Sequence, residues 1–68
     1  MTGEELKNIR LSYGASRQAF SKYFLGISRT MVYFYETNKT TIPELVEVRA
    51  KFWAEKMKEY KQAEVKLG

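Results

Sequence analysis

The sequence predicts an all-α protein: a compact bundle of four helices, the last of them long and extended at the C-terminus. Two observations carry that expectation. Apolar residues recur at spacings of three and four, and no segment alternates as a half-buried strand would. Each periodic stretch also opens on a Ser or Thr suited to capping a helix N-terminus, at Thr2, Ser16, Ser28 and Thr41.

Thr2-Gly3-Glu4-Glu5 reads as a capping box, in which the Thr2 hydroxyl meets the Glu5 amide and the Glu5 side chain reaches back. Leu6, Ile9 and Tyr13 then form one apolar stripe on a helix that ends at Gly14. Ser16 caps a second helix with the stripe Phe20, Phe24 and Ile27, ended by Gly26. Ser28 caps a short third helix from Arg29 to about Thr37, where Asn38 is a suitable stop because it tolerates the left-handed conformation. Thr41-Ile42-Pro43-Glu44 repeats the capping logic, with Glu44 at the N3 position. Nothing breaks a helix from there to Leu67, so the fourth spans on the order of 35 Å.

Two apolar rows lie along this fourth helix. One is Ile42, Leu45, Val48 and Phe52; the other is Val46, Ala50, Trp53, Met57 and Tyr60. The second row fits either packing onto the first helix or a seam between subunits. Residues 1–53 are therefore expected to form the functional domain. Residues 54–68 are expected to continue the helix for packing or dimerisation.

Charge and composition narrow the function. From Leu6 to Pro43 the bases Lys7, Arg10, Arg17, Lys22, Arg29 and Lys39 face a single acid, Glu36, while the remainder to the C-terminus is nearly balanced. A positive field so placed favours polyanions. The 68 residues contain no Cys, His or Asp, which leaves no catalytic dyad, no disulfide and no thiolate or imidazole metal site. No Gly-rich phosphate loop is present, and an enzyme is not expected. No cofactor, metal or small-molecule effector is expected either. Without a signal peptide or a long apolar run, the expected setting is cytoplasmic, with no membrane association.

The chemistry-bearing stretch is Ser28 to Lys39, SRTMVYFYETNK. On a helix Val32 and Tyr35 face inward, whereas Met31, Tyr33 and Phe34 are expected outside. A helix ending at Gly26, a short turn and a Ser-capped helix, about residues 16–38 in all, has the layout of a helix-turn-helix. With LKNIR in helix 1, GISRTMVYFYE across the turn and NKTTIPEL leading into helix 4, the chain resembles the Cro/phage-repressor type, the XRE family.

That resemblance, which covers about three-quarters of the chain, implies a lambda-repressor-like fold and a small phage- or prophage-type transcriptional regulator. It implies sequence-specific binding of double-stranded DNA, as a repressor working as a homodimer on a palindromic operator in a bacterial or phage-infected cell. The positions resembling base readers are Ser28, Arg29, Thr30, Tyr33 and Phe34; those resembling phosphate contacts are Arg17, Gln18 and Lys39. Arg29 is the foremost reader, since a guanidinium fork matches a guanine edge. Arg10 and Glu36 match an internal basic–acidic pair.

One departure has a structural consequence. The small residue of helix 2, Ala in most relatives, is represented here by Ser21, five residues before Gly26 rather than four. Helix 2 or the turn must therefore hold one extra residue. A different class of function also fits the residues: a protein-binding adaptor or inhibitor using exposed Met31, Tyr33 and Phe34 with Trp53 and Met57.

Overall fold

The computed structural model describes residues 1–67, with side chains through Glu59, and it is all-helical with four helices. Helix α1 is Gly3–Ser12; α2 starts at Arg17–Ala19 and runs on as a π-helical segment, Phe20–Leu25. Helix α3 is Arg29–Glu36 and α4 is Glu44–Leu67. No strand occurs among the described residues, and no described helix is long and apolar enough to cross a membrane.

The starts of α1, α2 and α3 follow from local chemistry. Thr2 Oγ1 accepts from the Glu5 amide, Ser16 Oγ from the Ala19 amide and Ser28 Oγ from the Met31 amide, each at 3.1 or 3.2 Å. The Glu5 carboxylate completes the reciprocal box at the Thr2 amide. Helix α4 differs from expectation: it begins at Glu44, and the Glu47 amide bonds the Pro43 carbonyl. Thr41 thus lies outside the helix and Glu44 is its first residue, not N3. Proline at the boundary explains this, because it fixes φ for helix entry and disfavours helical geometry at Ile42 before it.

The helix ends are equally local. Gly14 and Asn38 take the left-handed conformation, at φ 65° and 60°. Around Asn38, the Lys39 amide bonds the Phe34 carbonyl and the Asn38 amide bonds Tyr35, the paired bonds of a Schellman cap. Ala15 to Arg10 and Gly14 to Leu11 repeat that arrangement at the end of α1.

The five-residue spacing from Ser21 to Gly26 is accommodated in the helix, not in the turn. From Phe20 to Leu25 the helix widens to π geometry, and the Gly26 amide reaches back five residues to the Ser21 carbonyl. The Ile27 amide bonds the same carbonyl at 3.0 Å. Two carbonyls at the end of this segment are capped by α4: Arg49 Nη1 donates to Leu25 O at 2.6 Å and Trp53 Nε1 to Phe24 O at 2.9 Å. A cation there also suits the negative end of a helix dipole. The π segment is therefore anchored from outside as well as within.

Leu6, Phe20, Leu25, Val32, Tyr35, Val46 and Ala50 form the core, one or two from each helix. Phe20, Leu6, Leu25 and Val32 are fully buried, each contributing about 1.5–3 kcal/mol relative to exposure. Beside them Tyr13, Phe24 and Trp53 form an aromatic cluster with centroids 4.8 to 6.3 Å apart, Tyr13 edge-on to both of the others. The Tyr13 hydroxyl donates to the Trp53 carbonyl, tying α1 to α4.

The two rows of α4 separate clearly. Val46 and Ala50 lie in the core and Trp53 and Met57 are half-buried, so this row packs within the chain along the described residues. The side chain of Tyr60 lies outside the described residues. Leu45, Val48 and Phe52, from the other row, are more than half exposed.

Candidate nucleic-acid interface

Helices α2 and α3 meet across an open cleft of about 610 Å³, lined by Arg10, Ser16, Arg17, Gln18, Arg29, Thr30 and Tyr33. Six of those seven are among the residues singled out from the sequence. They come from three helices, and the short turn Gly26–Ser28 brings the start of α3 beside the start of α2. Gly26, in the left-handed conformation at φ 68°, makes that reversal possible at little steric cost.

A buried carboxylate fixes the cleft floor. Glu36, at the end of α3, has a side chain only 1% exposed. Arg10 from α1 clamps it with two bonds, Nε to Oε2 at 2.7 Å and Nη2 to Oε1 at 3.0 Å. The third arm of Arg10 donates to the Ala15 carbonyl at 2.9 Å. The expected pair is thus a bidentate, buried one. It has a third member: Arg17 Nε donates to Glu36 Oε1 at 3.1 Å. One carboxylate accordingly joins α1, α2 and α3, with one formal positive charge in excess.

Arg17 was expected only as a phosphate contact. Its link to Glu36 was not legible because 19 residues separate the two, and no local spacing relates them. The guanidinium is about one-third exposed, so it meets Glu36 while lining the cleft. It also lies 5.4 Å from the centroid of the Tyr33 ring. Lys39 Nζ is 5.3 Å from the same ring and 6.0 Å from Phe34. Tyr33 is therefore held between two cations, within the distance at which a ring quadrupole attracts a positive charge.

The other sequence-derived positions divide. Arg29 and Thr30 are exposed at the start of α3 and line the cleft with Gln18. Ser28 lies beside them, but its oxygen already accepts the Met31 amide as the N-cap, leaving only its O–H to donate outward. Lys39 lies past the other end of α3 and does not itself line the cleft, although its ammonium reaches the Tyr33 ring. Phe34 is half-buried and does not line the cleft.

Met31 differs from expectation more plainly, since it is half-buried against the core. The reason is the width of the buried arc: Val32 and Tyr35 define its centre, and Met31 lies one turn below Tyr35 on the same side. The proposed apolar patch shrinks accordingly. Of Met31, Tyr33, Phe34, Trp53 and Met57, only Tyr33 is exposed, at 40%.

A close approach at the start of α1 also has no counterpart in the sequence pattern. Gly3 sits against the end of α3, where a Cβ would lie 2.3 Å from the Tyr35 carbonyl oxygen and 2.6 Å from that of Glu36. Its amide also donates to Asn38 Oδ1 at 3.0 Å. A glycine inside a capping box gives no sign of such an approach. Among the described residues no group of three or more His, Cys, Asp or Glu could hold a metal ion; the side chains lining the cleft are cationic, amide, hydroxyl and aromatic. Comparison of the chain with protein-family models, curated proteins and solved structures finds no match.

Proposed function

We propose that the chain is a sequence-specific double-stranded DNA-binding regulator of the helix-turn-helix type. It acts as a repressor, in the cytoplasm, as a homodimer on a palindromic operator. One observation carries this reading: a single cleft gathers Arg17 and Gln18 from the start of α2 with Arg29, Thr30 and Tyr33 from the start of α3. Helix-turn-helix proteins place the N-terminal residues of the second motif helix at base edges while the first crosses the backbone. In that docking Arg29 reads a guanine edge, Thr30 bonds a base or phosphate, and Gln18 and Arg17 meet the backbone. Tyr33, braced by Arg17 and Lys39, offers an apolar ring edge in the groove, with Phe34 behind it. Repression follows from occupancy of the duplex.

Selection from a random duplex library is the decisive experiment. Enrichment of a two-fold motif, with affinity that falls steeply as salt rises, is the expected result. Absence of any enriched motif would refute sequence-specific reading and favour a protein partner for this face.

A further inference from the structure

We propose that the Tyr33 ring forms a subsite for the C5-methyl group of a pyrimidine in the major groove, which in an unmodified duplex is thymine. The inference rests on the proposed reading of double-stranded DNA and names one chemical group within it.

Position and support single out this ring. Tyr33 is 40% exposed and lines the cleft with Arg29 and Thr30. Its large apolar neighbours on α3 do not share that position: Met31 and Phe34 are half-buried, and Val32 and Tyr35 belong to the core. The ring is also held. The Arg17 guanidinium stands over it at 5.4 Å and the Lys39 ammonium at 5.3 Å, while Phe34 lies beside it with centroids 6.0 Å apart.

These neighbours decide what the ring can meet. An aromatic with open faces suits stacking on unpaired bases. Here two cations stand over the ring, one from the start of α2 and one from beyond the end of α3, so its edge and hydroxyl are left for a ligand. The edge is apolar, with weakly positive C–H groups. In the major groove of a duplex the apolar group on offer is the methyl on thymine C5. A cytosine methylated at C5 carries the same group in the same place. Because the ring is already fixed, little side-chain freedom is lost when the contact forms.

Spacing locates the pyrimidine. Arg29 and Tyr33 are four apart on one face of α3, an axial rise of about 6 Å. At about 3.4 Å per base pair, the methyl lies within about two base pairs of the guanine that Arg29 reads. Thr30 also lines the cleft and carries a methyl of its own, which makes it the competing reader.

Substitution of single methyl groups in the duplex provides the test. Each thymine of the duplex selected from the random library is replaced in turn by deoxyuridine, which removes the methyl and leaves the hydrogen-bonding edges as they were. The unmutated chain should lose about 3- to 5-fold in affinity per half-site at one thymine near the guanine, the loss expected for uncovering a single methyl. Tyr33→Phe should keep that difference and Tyr33→Ala should abolish it; the side chain is exposed, and circular dichroism verifies the fold of both variants. With cytosine at the same position, methylation at C5 should tighten binding by the unmutated chain and by Tyr33→Phe by a similar factor, and leave Tyr33→Ala unchanged. Equal affinity for thymine and deoxyuridine at every position would overturn the subsite while leaving sequence reading intact, as would a selected motif with no thymine near a guanine. A difference that survives Tyr33→Ala would also overturn it and pass the methyl to Thr30. Absence of any enriched motif would overturn the reading and the subsite together.

Discussion

Replacing Glu36 by Ala isolates the carboxylate that joins three helices. It removes three hydrogen bonds at once: two from Arg10, at 2.7 and 3.0 Å, and one from Arg17, at 3.1 Å. Arg10 then retains only the Ala15 carbonyl, with a side chain 9% exposed. A buried charge stripped of its partner costs about 3–5 kcal/mol. Domains of this length have about 3–10 kcal/mol of stability in total, from the usual 0.05–0.15 kcal/mol per residue. Glu36→Ala should therefore consume a large part of the folding free energy. Arg17→Ala breaks one bond from a donor that is one-third exposed, and after solvent screening its cost should stay within about 1 kcal/mol. Urea unfolding followed by the fluorescence of Trp53, the lone tryptophan, reads both, since its ring packs against Phe24 and Tyr13. A Glu36→Ala cost below about 1 kcal/mol, or one equal to that of Arg17→Ala, would refute the reasoning that the carboxylate neutralises a buried guanidinium.

Other perturbations reach separate parts of the molecule. Gly3→Ala should destabilise by about 1–3 kcal/mol, as overpacking does, because its Cβ would collide with the Tyr35 and Glu36 carbonyls; thermal melting checks this, and an unchanged midpoint would contradict the close approach. Arg29→Ala should lower affinity for the selected duplex by about 5- to 150-fold, matching about 1–3 kcal/mol of base discrimination, while binding to scrambled duplex changes little; equal loss on both would remove Arg29 from the readers. Burial raises the Tyr13 phenol above its ordinary value of 10.0, so the folded chain favours the neutral form. Its contribution is then fully present below the unfolded value and is lost as pH rises through the raised folded one. Tyr13→Phe should accordingly flatten the part of the alkaline stability loss that this hydroxyl causes, measured by urea midpoints from pH 8 to 11. At the acid end, the amino-terminal ammonium and then Lys51 hold Glu47 below the usual carboxylate value. Its contribution is present above the unfolded value and fades as pH falls through the depressed one, so Glu47→Gln should soften that decline.

Local chemistry was the legible part. The Ser16 and Ser28 caps, the capping box at Thr2 and the left-handed stops at Gly14, Gly26 and Asn38 depend on residues within one helical turn of each other. Such bonds can be read directly from spacing. Arg10 with Glu36 came instead from the family resemblance, and no count of residues would have supplied it. What spacing cannot express is a contact whose partners are far apart in sequence. Arg17 to Glu36, Gly3 to the end of α3, and the capping of Phe24 and Leu25 carbonyls by Trp53 and Arg49 are of this kind. Met31 illustrates a subtler limit: periodicity located the centre of the buried arc at Val32 and Tyr35 but not its edge. The spacing from Ser21 to Gly26 was countable, but the partners in α4 that meet the carbonyls of the widened helix were not. Arg49 and Trp53 satisfy the carbonyls at the end of the widened segment, and an unmet carbonyl there would cost about 1–3 kcal/mol.

The cleft and the core are consequently not independent. Arg17 gives one guanidinium nitrogen to Glu36 and presents the rest of the group to the cleft, beside Tyr33. The carboxylate holds this side chain in place before any phosphate arrives, which lowers the ordering cost of binding. The same carboxylate partly neutralises Arg17, so its attraction for phosphate is weaker than that of an unpaired arginine. Orientation is gained at the expense of charge. If so, Arg17→Lys, which keeps the charge but loses the planar fork, should weaken duplex binding nearly as much as Arg17→Ala. Both variants should remain folded, because Arg10 alone still clamps Glu36 with two bonds. Titration of each variant with the selected duplex at fixed salt gives the answer. Full retention of affinity by Arg17→Lys would mean that Arg17 acts as a point charge, and that its bond to Glu36 contributes nothing to binding.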